Sequence, residues 1–166
     1  MKRPDGHFNP ADGLLRAEQF QMAYATNDIE RACELFRQRF GIREFRRLAG
    51  QLPSGGHIHI ELAWVGPTMY ELLTASGPGS ELFVGRLPKD RFAIQHHHLG
   101  FLIHDEAQWQ GLFSQIERNG WTLLSKNNTP GFMQTCFVDV PEVGHYLEYL
   151  FPEAAGLDFF ESVPNN

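Results

Sequence analysis

Residues 20–41, FQMAYATNDIERACELFRQRFG, are answered further along the chain by residues 98–120, HLGFLIHDEAQWQGLFSQIERNG. Both segments open with the two-residue alternation of a strand. Phe20, Met22 and Tyr24 fall on one face, and Gln21, Ala23 and Ala25 on the other. In the second segment Leu99, Phe101 and Ile103 share a face, opposite His98, Gly100 and Leu102. Both then change to helical spacing. Asn27 or Asp28 is the expected N-cap of the first helix, and Asp105 that of the second, with Gln108 at the capping-box position. Ile29, Ala32, Cys33, Phe36 and Phe40 form one apolar stripe; Trp109, Leu112, Phe113 and Ile116 form the other. Gly41 and Gly120 are the expected stops.

Three strand-like stretches follow each helix: residues 43–49, 57–65 and 68–74, then 122–126, 132–138 and 146–151. QLPSGG, VGPT, KNNTPG and VPEVG separate them as turns. Each half therefore reads β-α-β-β-β. Asp28 and Asp105, Gln21 and His98, and Glu71 and Glu148 are all 77 residues apart. Three polar landmarks at one offset point to an internal duplication. The expected organisation is an N-terminal flank (1–19), a first module (20–75), a Gly- and Pro-bearing linker (76–95), a second module (96–151) and a C-terminal flank (152–166). One helix per module covers only one sheet face. The expected fold is therefore α+β: two tandem βαβββ modules forming a curved mixed sheet, helices on its convex side.

Composition narrows the function. The 166 residues are 42% hydrophobic and 20% charged, which suits a core-forming globular chain. A net charge of -6 without a basic run argues against nucleic acid as a partner. No apolar stretch has membrane-spanning length, and MKRPDGHFNPADGLL has no signal-peptide run. Two cysteines far apart, Cys33 and Cys136, fit a reducing cytoplasm. Cys136 reads best as a small buried hydrophobe.

The alternation places Gln21 and His98 on the face away from the helices. Glu71, between Tyr70 and Leu72, and Glu148, between Leu147 and Tyr149, are expected on that face too. A carboxylate inside an apolar strand is costly unless paired or coordinated. Gln21, Glu71, His98 and Glu148 thus form a candidate divalent-metal set: three oxygen donors and one nitrogen. Such a set suits Zn, Ni, Co, Mn or Mg without choosing among them. On a neighbouring strand His57, His59 and Glu61 alternate with Ile58, Ile60 and Leu62. They are expected to line the same cavity with Tyr146, and Trp64, Phe83 and Phe132 to wall an apolar substrate.

With these residues in place, the chain resembles the vicinal oxygen chelate superfamily, which includes glyoxalase I, methylmalonyl-CoA epimerase, extradiol dioxygenases and bleomycin-resistance proteins. The first-strand ligand followed seven residues later by Asp is matched by Gln21–Asp28 and His98–Asp105. The turn glycine followed four residues later by a ligand Glu is matched by Gly144–Glu148. The resemblance spans roughly residues 20–151. It implies Gln21, Glu71, His98 and Glu148 as metal ligands, with Glu148 the favoured catalytic base and Glu71 the second candidate. It also implies a homodimer. The order Gln–Glu–His–Glu is nearest to glyoxalase I and methylmalonyl-CoA epimerase. Ala25 and Ala75 stand where glyoxalase I holds glutathione, which argues against that substrate.

The function so implied is a divalent-metal-dependent lyase, isomerase or epimerase acting through a metal-bound enolate or enediolate of a small carbonyl or acyl substrate. The alternatives are an Fe(II) extradiol-type dioxygenase, disfavoured by Gln21 at the first ligand position, and a non-catalytic small-molecule-binding protein.

Overall fold

The computed structural model describes residues 6–166. The first five positions of the N-terminal flank lie outside the described residues. The chain divides into two compact units. One comprises Gln21–His98 with Phe160–Asn166; the other comprises described residues 6–20 with Leu99–Phe159. No helix among the described residues is long and apolar enough to cross a membrane.

The first unit holds β1 (Glu18–Thr26) from Gln21 onward, α1 (Ile29–Phe40), β2 (Arg46–Gln51), β3 (His57–Val65) and β4 (Thr68–Ser76). The single turn α2 (Glu81–Val84) and the opening of β5 (Ile94–Leu102) complete it. Its strand order is β2-β3-β4-β1. β1 and β4 run parallel, while β2 with β3 and β3 with β4 run antiparallel. The second unit holds the end of β5, α3 (Glu106–Asn119), β6 (Thr122–Thr129), β7 (Met133–Val140), β8 (His145–Pro152) and most of α4 (Ala154–Glu161). Its order is β6-β7-β8-β5, with β6, β7 and β8 antiparallel in turn. Each unit thus arranges a βαβββ set in the same order, in an α+β fold of mixed strand direction.

The helix ends form as the sequence dictates. Asp28, rather than Asn27, caps α1: the Arg31 backbone N–H donates to Asp28 Oδ1 at 3.0 Å. Asn27 is drawn away, donating to the Pro88 and Arg91 carbonyls. Asp105 caps α3 by accepting from the Gln108 N–H at 2.8 Å, and Gln108 Oε1 accepts from the His104 N–H at 3.1 Å. Gly41 and Gly120 sit at φ 75° and 66°, the left-handed conformation that ends a helix without steric cost.

In the first unit Ala32, Cys33 and Phe36 of α1 pack on Ala63 and Leu72, joined by Tyr24 and Tyr70. In the second, Trp109, Leu112 and Ile116 of α3 pack on Phe101, Ile103, Val138, Leu147 and Tyr149. The N-terminal flank extends the second core. Leu14 and Ala17 enter the α3 core, and the Tyr149 hydroxyl donates to the Leu14 carbonyl at 2.7 Å. A Cβ on Gly111 would stand 2.9 Å from Ala11 Cβ, so only glycine admits this approach to α3. The C-terminal tail lies along β3 beyond the end of β2. The Trp64 and Asn166 backbones exchange hydrogen bonds with Pro164 and Trp64 at 2.9 Å, and Trp64 Nε1 donates to the Phe160 carbonyl.

Candidate metal centre

Three of the four predicted ligands lie in the first unit. In the parallel ladder of β1 and β4, Gln21 stands opposite Met69 and Ala23 opposite Glu71. Residues directly across a ladder share a face, as do residues two apart on one strand, so Gln21 and Glu71 point to one side. Gln21 Nε2 donates to Glu71 Oε2 at 2.6 Å. Gln21, Glu71 and His98 are 1%, 5% and 1% exposed. Glu71 and His98 each present a ligand atom, and these lie within 4.8 Å of one another. Ala23 and Ala25 pack with Leu73 and Leu87 on this face.

The amide nitrogen of Gln21 is committed to Glu71, which leaves Oε1 as the atom able to ligate a cation; Oε1 is shielded from solvent, as is His98 Nε2. One carboxylate, one amide oxygen and one imidazole nitrogen, all desolvated, fit a divalent ion. A desolvated carboxylate is otherwise expensive to hold.

His97 stands beside this group. Its Nδ1 lies 2.8 Å from His98 Nδ1, its Nε2 lies 3.0 Å from the Leu82 carbonyl, and its ring stacks on Phe83 with centroids 6.0 Å apart. Burial first, and the neighbouring His98 ring second, push the His97 pKa down to about 3, so the ring is neutral at ordinary pH.

Glu148 lies in the second unit, on β8. Leu147 and Tyr149 on either side of it enter the α3 core, so Glu148 and Tyr146 occupy the opposite face of their strand. In the ladder with β7, Glu148 faces Phe137 and Tyr146 faces Asp139. The Phe137 and Tyr146 rings meet edge to face at 6.4 Å. Glu148 is 9% exposed. Its position on β8 repeats that of Glu71 on β4.

His57, His59 and Glu61 are not on the Glu71 face. The antiparallel ladder of β3 and β4 sets Leu62 opposite Glu71 and Glu61 opposite Leu72. Glu61 therefore shares the face of Leu72, which is packed under α1. Its carboxylate accepts from Arg47 Nε at 2.8 Å and meets His59 Nε2 at 2.8 Å, and Arg47 reaches Glu30 of α1 at 3.5 Å. Alternation showed that the three residues share a face. The ladder register, in which a slip of one residue exchanges the faces, decided which face it is.

Cys136 lies opposite Tyr149 in the α3 core and Cys33 lies in the α1 core. Burial raises their thiols to about 12 and about 11, so neither supplies a thiolate. Of the aromatics expected to wall a substrate, Phe83 stacks on His97 and Phe132 packs edge-on against Phe159. In the sequence His97 is the middle of three consecutive histidines, His96 to His98, and nothing there marks the Leu82 carbonyl.

No family profile matches the chain, and none of the curated proteins does. Solved structures do. Methylmalonyl-CoA epimerase from Mycobacterium tuberculosis superposes with a TM-score of 0.57 at 14% identity, over 81% of this chain and 87% of that one. A variant of the Streptomyces coelicolor methylmalonyl-CoA epimerase, in complex with 2-nitronate-propionyl-CoA, gives 0.59 at 18% identity, over 84% and 96%. A hypothetical protein from Bacillus halodurans gives 0.54 at 16% identity, over 81% and 93%. The duplicated βαβββ units and these superpositions agree: the chain has the vicinal oxygen chelate fold.

Proposed function

We propose that Gln21, Glu71, His98 and Glu148 hold a divalent metal ion. We further propose that the protein is a metal-dependent epimerase, isomerase or lyase that moves a proton beside the carbonyl of a small acyl or carbonyl substrate. The observation that carries this reading is the desolvated trio of Gln21, Glu71 and His98, with Gln21 donating to Glu71 at 2.6 Å. The 77-residue offset that relates Gln21 to His98 also relates Glu71 to Glu148. It supplies the fourth ligand from the second module.

A bound divalent cation supplies Lewis-acid stabilisation of the negative charge that develops on a carbonyl oxygen. The protein's own groups do the rest. Gln21 orients the Glu71 carboxylate by donating to it at 2.6 Å. Glu148 serves as the general base: it accepts the proton from the carbon next to the carbonyl and returns it.

Acyl thioesters carrying an acidic α-proton are the first substrate class to test, since the structural neighbours include a methylmalonyl-CoA epimerase in complex with methylmalonyl-CoA. A homodimer is part of the same proposal, read by light scattering. The deciding experiment is elemental analysis of protein purified without a metal column, followed by incubation with thioesters in deuterated water. Near-stoichiometric metal and enzyme-dependent deuterium at the α-carbon are expected. Full activity in metal-free protein would refute the reading.

A further inference from the structure

We propose that His97 is a positioning residue that fixes the tautomer of His98, so that His98 Nε2 carries a lone pair for the metal. The inference rests on the metal-site reading above but concerns an order of protons already built into the metal-free chain.

The argument is a count of protons along one line of atoms. The Leu82 carbonyl can only accept, so His97 Nε2, 3.0 Å away, carries a hydrogen and donates it. A neutral imidazole has one such hydrogen, and His97, 5% exposed and held against Phe83, is uncharged. Its Nδ1 is therefore bare. The 2.8 Å contact between the two Nδ1 atoms needs one hydrogen, which must belong to His98. With its own hydrogen on Nδ1, neutral His98 presents Nε2 as a lone pair. Nε2 is also shielded from solvent, and His98 offers a ring nitrogen within 4.8 Å of a Glu71 carboxylate oxygen.

The relay thus runs from the Leu82 carbonyl through both rings of His97 and His98. A metal-ligating histidine ordinarily gives its second N–H to a carboxylate, a backbone carbonyl or water, which sets ring orientation and basicity. Here a second histidine takes that place. α2, the single turn that carries Leu82, gains a role: it supplies the carbonyl that anchors the relay. A water-filled or apolar replacement of His97 would leave His98 free to adopt the other tautomer, with Nε2 protonated and unable to ligate.

The test uses the whole protein and three variants. In metal-free wild type labelled with 15N-histidine, long-range 1H–15N spectra are expected to show His98 protonated at Nδ1 and His97 at Nε2. His97→Leu removes the acceptor, and Zn2+ affinity measured by chelator competition should fall about 10- to 100-fold. His97→Asn places an amide oxygen near the former Nδ1 and should restore most of that affinity. His97→Gln, whose oxygen reaches further, should restore less. Circular dichroism checks that each variant is folded. Two results would overturn the proposal: His98 protonated at Nε2 in the wild type, or a folded His97→Leu binding Zn2+ as tightly as wild type. If wild type binds no divalent ion at all, the metal-site reading fails while the spectra still decide the tautomer.

Discussion

Replacing Glu71 with glutamine separates what the site costs the fold from what it gives to function. Glu71 is 5% exposed and accepts from Gln21 Nε2 at 2.6 Å. Burying a carboxylate costs several kcal/mol after relaxation. The charge-assisted hydrogen bond from Gln21 returns about 1.5–3 kcal/mol of that. Glutamine has nearly the same shape, and its carbonyl oxygen still accepts from Gln21, so the exchange removes most of the desolvation cost and only part of the hydrogen bond. Metal-free Glu71→Gln should be more stable than wild type by about 1–2 kcal/mol. For a chain of this length that is a rise of roughly 2–8 °C in melting temperature. With metal the order should reverse. A ligand at about 1,000 times its Kd stabilises the folded state by about 4 kcal/mol, and the variant, lacking an anionic ligand, forfeits most of that at the same metal concentration. The assay is differential scanning calorimetry of both proteins with chelator and with excess Zn2+. Refutation would be a metal-free variant clearly less stable than wild type, together with equal metal-induced shifts in the two proteins. That result would mean that Glu71 is an ordinary structural residue stabilised by Gln21.

Further outcomes follow from the same geometry. His59→Ala should leave Zn2+ affinity within about twofold of wild type by chelator competition, because β3 turns this residue to the α1 face, away from Glu71. Trp109→Ala should cost about 3–5 kcal/mol in urea unfolding, since the indole is 1% exposed at the centre of the α3 core. Asp28→Ala should cost about 1 kcal/mol by the same measurement through loss of the α1 cap. Cys33 and Cys136 should resist a thiol reagent at neutral pH and react only on unfolding. With thiols raised to about 11 and about 12, labelling of the folded protein should quicken only as pH climbs towards those values.

Much of the candidate site is legible in the chain because duplication is a sequence property. Gln21 with His98 and Glu71 with Glu148 were paired by a single offset, and two-residue alternation showed which neighbours each shared a face with. Helix ends were equally legible, since caps and left-handed glycines act over three or four residues. His59 and Glu61 show where such reading stops. Their alternation is as clear as that of Glu71, yet β3 pairs with β4 in a register that sends them to the other side. Register is fixed by packing against α1 and by turn geometry, which no run of nine residues contains.

By itself, then, the sequence determined the two βαβββ modules, the caps and stops of their helices, and which polar residues interrupt otherwise apolar strands. These depend on interactions within a few residues and on repetition along the chain. Tertiary structure alone decided that Gln21 grips Glu71, that Leu14 and Ala17 complete the α3 core, and that Leu82, sixteen positions before His98 in sequence, anchors the histidine relay. These contacts join parts of the chain brought together only when the apolar faces are buried, and the burial sets the distances at which a carboxylate, an amide or an imidazole can act.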